Sequence, residues 1–243
     1  MSKIKSIVVC VEYDDFLAIT LPKNRNHFSE TLVVTSLSDE RTLKLAHNFN
    51  CSCLATNAFY TDGAHFNKGL AMEEGFDALG RDGWICVWDA DIIMPQNIEV
   101  MNKKTDCLYS PGRHILEDPK AYPHYQNESS WPELSVPTRA NEFSGFFQLF
   151  HASAIEPPWY STTSKHAGRC DSDFSHKFPP EKRLRPDFNV LHLGPEGIPE
   201  LGTRAGLNWC GRVTPFIDRR EPLKDCKQKQ ETIEQVIKEE KLQ

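Results

Sequence analysis

The sequence predicts an α/β fold, one sizeable domain around a mostly parallel sheet, and three observations predict it. The first half of the chain repeats a short apolar run followed by a polar or helical stretch, which is how βαβ units are written. The runs are continuous rather than alternating, as suits strands covered on both faces. A length of 243 residues is enough for one large core with trimmings.

The expected strands begin with 6–11, Ser-Ile-Val-Val-Cys-Val, followed by 31–35, a weaker run at 53–56, and 84–88, Trp-Ile-Cys-Val-Trp. Between the last two, Phe66, Gly69, Met72, Phe76 and Leu79 recur at steps of three and four, so a helix is expected over 65–80 with Gly80 as its C-cap. From 110 to 137, Pro111, Pro119, Pro123, Pro132 and Pro137 accompany Tyr122, Tyr125 and Trp131. That density predicts a long irregular loop, and long loops beside an α/β sheet are often substrate loops. A strand-like run at 143–150, a short helix at 171–178 and a last short strand at 189–193 follow. After Asp218 the composition shifts to Lys, Glu and Gln with Ile233, Val236 and Ile237 on one stripe, the mark of an amphipathic helix that docks on the body or meets a partner. The expected organisation is thus a domain over 1–218 and a helical tail over 219–243.

Composition narrows the function. With 39% hydrophobic and 26% charged residues the chain is neither disordered nor fibrous. No run approaches the ~18 apolar residues of a membrane span, and the first apolar run is too short for a signal peptide, so a soluble protein of the cytoplasm (of a host, if the source is viral) is expected. Lys and Arg total 28 against 34 Asp and Glu, a net charge of -6 that disfavours nucleic acid as a partner. Eight cysteines without a C-x-x-C pair read as reduced residues, mostly of the core.

The chemistry centres on Asp89-Ala90-Asp91, where a buried strand stops. Two carboxylates at the carboxyl end of a sheet lie where open α/β folds bind ligands, and their hard oxygens suit Mg²⁺ or Mn²⁺ bridging the phosphates of a nucleotide. Asp-x-Asp is also common as a solvated turn. Upstream, Phe66-Asn67-Lys68-Gly69 opens the helix that feeds this strand, and a lysine there suits phosphate or acidic ligands, or is simply solvated. Downstream come Phe143 to Phe150, then Gly168-Arg169-Cys170-Asp171-Ser172-Asp173, then Val190-Leu191-His192-Leu193-Gly194.

This order of motifs, from Lys5 to Gly194, resembles the GT-A glycosyltransferases, in particular the inverting family 2-like group that uses nucleotide-diphosphate sugars. The resemblance implies a GT-A (Rossmann-like) fold, a mixed, mostly parallel sheet with flanking helices. It implies a donor site of Glu12, Thr35, Asp39, Asn67, Lys68, Asp89 and Asp91 for a nucleotide sugar, most simply a UDP-sugar. Mn²⁺ or Mg²⁺ would be held by Asp89, Asp91 and His192, the histidine being otherwise a structural one. Asp171 would be the base for the acceptor hydroxyl, unless it only caps its helix, with Gly145, Asp173 and Trp131 on the acceptor side. Cys170 departs from the family pattern, in which an acidic residue is usual, and bears on the acceptor contact rather than the base.

Two rivals fail on the first strand, which leads into Glu12-Tyr13-Asp14-Asp15. A sugar-nucleotide pyrophosphorylase needs a Gly- and Arg-containing phosphate loop there, and a dehydrogenase needs G-x-G-x-x-G. The expected activity is metal-dependent glycosyl transfer to a soluble glycan or small molecule. The alternatives are a phage-type transferase acting on hydroxymethylated pyrimidine in DNA, with Arg183, Arg185, Arg204, Arg212, Arg219 and Arg220 as a local basic surface, and a noncatalytic nucleotide-binding module. The oligomeric state is not legible.

Overall fold

The computed structural model describes residues 3–193, apart from 65, 101, 117–120, 135–142, 144, 166 and 168. Four parallel strands form its centre: β1 (Ile4–Val9), β2 (Glu30–Ser36), β3 (Ser52–Thr56) and β4 (Trp84–Asp89), in the order β3-β2-β1-β4. Past β4 the sheet continues through β8 (Phe147–His151), antiparallel to it, then β6 (Leu108–Tyr109) and β9 (Arg183–Leu184). A second sheet sets β10 (Asn189–Leu193) between β5 (Ile92–Ile93), antiparallel, and β7 (Gly112–Leu116), parallel. The mixed, mostly parallel seven-stranded sheet with flanking helices is the expected α/β architecture.

The continuous apolar runs are explained by two cores, one on each face. Successive residues of a strand point to opposite sides, and both sides are covered. Val8, Val33, Cys86 and Trp88 pack with Phe16, Leu17 and Leu21 of α1 (Asp14–Asn24) and Ala46 of α2 (Glu40–Asn48). Ile7, Leu32, Val34, Ile85 and Val87 pack with Ala71, Met72 and Phe76 of α3 (Lys68–Leu79) and Phe174 of α4 (Cys170–His176). Gly75 permits the close approach of α3, since a Cβ there would lie 2.4 Å from Ile7 Cδ1 and 2.8 Å from Val34 Cγ2.

Several boundaries move. The first strand starts and ends two residues earlier than 6–11, because the chain turns at Cys10-Val11 into Glu12, held at φ +57. The helix begins at Lys68 rather than 65, where the Asn67 side chain accepts the Leu70 N–H at 3.0 Å; Gly80 closes it at φ +86 as expected. The run 143–150 becomes a strand only from Phe147. The stretch 110–137, expected to be irregular, contains β7 and, among its described residues, the short 3₁₀ helices His124–Gln126 and Glu128–Glu133. No helix among the described residues is long and apolar enough to cross a membrane. The expected tail helix over 219–243, the domain boundary at 218, Arg204, Arg212, Arg219 and Arg220, and Cys210 and Cys226 lie outside the described residues. Of the described cysteines, all free, Cys10, Cys86, Cys107 and Cys170 are buried while Cys53 is exposed.

Candidate active site

The carboxyl ends of β1 and β4 open a cleft lined by Val9, Val11, Phe66, Lys68, Asp89, Asp91 and Asp171. Helix α1 shapes the chain that leaves β4: Thr20 Oγ1 donates to the Ala90 carbonyl at 2.7 Å, Asn24 Nδ2 donates to that of Ile92 at 2.8 Å, and Asn24 Oδ1 accepts the Met94 N–H at 2.9 Å. Those bonds fold residues 90–94 away from the strand line and aim both aspartates at the cleft.

Lys68 is the organising cation. Its ammonium lies 3.2 Å from Asp89 Oδ1 and 3.2 Å from both oxygens of Asp171, and the residue is 5% exposed. Burial alone would lower its pKa, but the Asp171 and Asp89 carboxylates outweigh that and raise it, so it stays charged. Burial raises the Asp171 carboxyl above its ordinary value, an effect the Lys68 ammonium opposes and the Asp89 charge reinforces. The expected solvated or phosphate-facing lysine is thus an ion-paired one.

Asp171 sits in the first turn of α4, pressed against Gly145. A Cβ on Gly145 would fall 1.9 Å from Asp171 Cγ, so only glycine leaves room for that carboxylate. The expected base thus meets Gly145, expected on the acceptor side, while Asp173, expected there too, is exposed. Trp131, also expected on the acceptor side, is not among the residues that line this cleft. It is 4% exposed, its indole N–H donates to the Tyr125 carbonyl at 3.0 Å, and it belongs with Met94 to the core on the α1 side of the sheet.

His192 and Asp91 meet although far apart in sequence, because β10 pairs His192 with Ile92 and the Leu193 N–H donates to the Asp91 carbonyl at 2.7 Å. His192 Nε2 is 3.8 Å from Asp91 Oδ1, and both residues are 1% exposed. A separation under twice a metal–ligand bond of about 2.1 Å lets one cation reach both donors, and carboxylate with imidazole is a fitting set for Mn²⁺. Asp89, the third expected ligand, is turned to Lys68, and among the described residues no three His, Cys, Asp or Glu side chains are clustered as a metal site. Three carboxylates against one ammonium leave the cleft two negative charges in excess, a field that a divalent cation would neutralise and that a bare diphosphate would meet as repulsion.

Three more residues of the expected donor site, Glu12, Thr35 and Asp39, converge through Asp39. One oxygen accepts the Thr42 N–H at 3.1 Å, capping α2; the other accepts the Glu12 N–H at 2.6 Å and the Thr35 hydroxyl at 3.1 Å. Asn67 does not face the cleft: besides capping α3 it donates to the Thr162 carbonyl at 2.8 Å and is 4% exposed. Sequence reasoning passed over Tyr60, 41% exposed, whose ring lies 6.4 Å from that of Phe66 and whose hydroxyl is pushed up to about 12 by burial and by the Glu12 and Asp39 charges. It also passed over Gln148, wholly buried at the centre of the sheet. A glutamine inside a Phe-Phe-Gln-Leu-Phe run was the available signal for the latter.

No protein-family model matches the chain, and no curated protein matches it in sequence. Solved structures do. A mycobacterial protein of unstated function is 14% identical over 85% of this chain and 72% of its own, with a TM-score of 0.51. Glucosyl-3-phosphoglycerate synthase from Mycobacterium tuberculosis, solved with Mn²⁺, UDP and glucosyl-3-phosphoglycerate, is 12% identical over 83% and 75%, with a TM-score of 0.49. Mannosyl-3-phosphoglycerate synthase from Rubrobacter xylanophilus is 13% identical over 82% and 69%, also at 0.49. At such identities the likeness to the mycobacterial protein is one of fold, an α/β fold around a mixed, mostly parallel sheet.

Proposed function

We propose that this chain is a metal-dependent glycosyltransferase, moving a sugar from a nucleotide-diphosphate sugar, most simply a UDP-sugar, to a hydroxyl of a soluble glycan or small molecule with inversion. The observation that carries the reading is the meeting of Asp89 and Asp171 at one ammonium, in a cleft at the carboxyl ends of β1 and β4 that Asp91 also lines, with His192 brought to Asp91 from β10. Asp91 and His192 would hold Mn²⁺ or Mg²⁺, with Asp89 beside them. When bound, the ion supplies the positive charge that a departing diphosphate needs. Asp39, Glu12 and Thr35 form the rigid corner that receives the nucleoside, and Lys68 keeps Asp171 turned into the cleft.

The acceptor hydroxyl attacks the anomeric carbon as its proton passes to Asp171, and the bond from that carbon to the diphosphate oxygen breaks with its electron pair leaving on oxygen. Burial, by raising the Asp171 carboxyl, makes it a stronger base than a surface aspartate. A screen of sugar nucleotides by thermal stabilisation, with and without Mn²⁺, identifies the donor. Asp171→Asn should then keep donor binding and lose transfer by ~10² to 10⁴. The anomeric configuration of the product, read from NMR couplings, must be opposite to the donor's; retention would refute the role of Asp171.

A further inference from the structure

We propose that Gln148 and Tyr160 are positioning residues that clamp the first turn of α4 and so fix where the Asp171 carboxylate points; the inference rests on the reading of Asp171 as the base. Gln148 lies in β8, 0% exposed, and both ends of its amide are used. Its Nε2 donates to the Asp171 carbonyl at 3.0 Å, and its Oε1 accepts the Tyr160 hydroxyl at 2.5 Å. Tyr160, 1% exposed, lays its ring on Phe174 at a centroid distance of 4.7 Å and 6° between planes, one helical turn beyond Asp171. The same turn is therefore gripped at two points, by an amide on its backbone and by a ring on its side.

The clamp is anchored in turn. Glu73 of α3, 6% exposed, accepts the Trp159 and Tyr160 N–H groups at 2.9 and 2.7 Å and pairs with Arg81 at 3.0 Å. A continuous path of buried polar contacts runs from α3, through Tyr160 and Gln148, to the backbone of Asp171. Stability does not demand it, since replacing both partners of a buried hydrogen bond by apolar groups of the same shape is close to neutral. Directionality does, because an apolar pair at 148 and 160 would leave the turn free to roll on Phe174. Gly145 leaves the carboxylate no slack on its other side, so a small roll moves its oxygens off the acceptor.

Tyr160→Phe removes one hydroxyl and keeps the ring stack; Gln148→Met removes both bonds at near-constant volume. Both should fold, keep the wild-type stabilisation by UDP with Mn²⁺, and lose kcat by about 10-fold, less than the ~10² that a 1 Å misplacement costs. In the Asp171→Asn background Tyr160→Phe should cost nothing further, because a residue acting through Asp171 has nothing left to orient. Should Gln148→Met not fold, the single-hydroxyl variant carries the test. Wild-type kcat in Tyr160→Phe, or the same 10-fold loss with Asp171→Asn already present, overturns the inference. Wild-type transfer by Asp171→Asn alone would instead overturn the role of Asp171 and take this inference with it.

Discussion

The Lys68 ammonium is equidistant, at 3.2 Å, from the two carboxylate oxygens of Asp171, and the same distance separates it from Asp89. A cation so placed joins the strand that ends in Asp-Ala-Asp to the helix that starts at Cys170, and it holds two acids side by side that would otherwise repel.

Lys68→Met should therefore leave two carboxylates facing each other without a counter-charge. Removing one partner of a buried pair costs about 3 kcal/mol or more, which for a chain of this size lowers Tm by roughly 6–12 °C. In the wild type, transfer should rise with pH as Asp171 loses its proton, over a range above that of an ordinary carboxylate because burial raises it. Lys68 is what restrains that rise, so the pH–rate profile of Lys68→Met should move to higher pH. A profile that stays put or moves lower would contradict the pairing.

Gly145→Ala places a methyl where Asp171 Cγ now sits, at 1.9 Å. The carboxylate must leave. Transfer should fall by about 10² with Mn²⁺-dependent UDP binding retained, as expected when only the base is displaced. Calorimetry and turnover on the same preparation decide it, and parallel loss of both would mean that Gly145 serves the fold rather than the base.

Asp91→Ala should abolish the Mn²⁺-dependent part of UDP stabilisation. In the wild type that part should be about 2.7 kcal/mol at a ligand concentration of 100 Kd. A melting shift that survives the substitution would remove Asp91, and with it the pair formed with His192, from the metal site.

Trp131→Ala is expected to act on stability and not on acceptor use. A buried tryptophan truncated to alanine costs about 3–5 kcal/mol, and this one lies in the core against α1. A fall in acceptor kcat/KM with unchanged Tm would restore Trp131 to the acceptor side.

Strands with two covered faces were legible because both cores demand apolar residues at every position; 189–193 and 84–88 are strands as read, the latter running on to Asp89. β7 was not legible, because Gly112, Arg113 and His114 carry no apolar run and are strand only through their register with Asn189, Val190 and Leu191. Asp89, Asp91 and Asp171 could be picked out by their setting in the chain. What Asn67 does could not, since an asparagine at a helix start caps as readily as it binds, and here the Leu70 N–H and Thr162 carbonyl occupy it. Trp131 misled for a similar reason: prolines around an aromatic describe an exposed loop and a buried 3₁₀ turn equally well.

The pairing of Ile92 with His192 gives the site a birth order. A ribosome that has just released Asp91 has still to make the histidine that comes to lie against it, an interval of roughly 5–20 s at ordinary rates of synthesis. Through that interval the sheet from β1 to β4 can assemble while its acidic corner lacks the imidazole. The meeting of the two side chains waits until β10 slots between β5 and β7, so this buried corner of acid and imidazole closes only after the strands that frame it have been made.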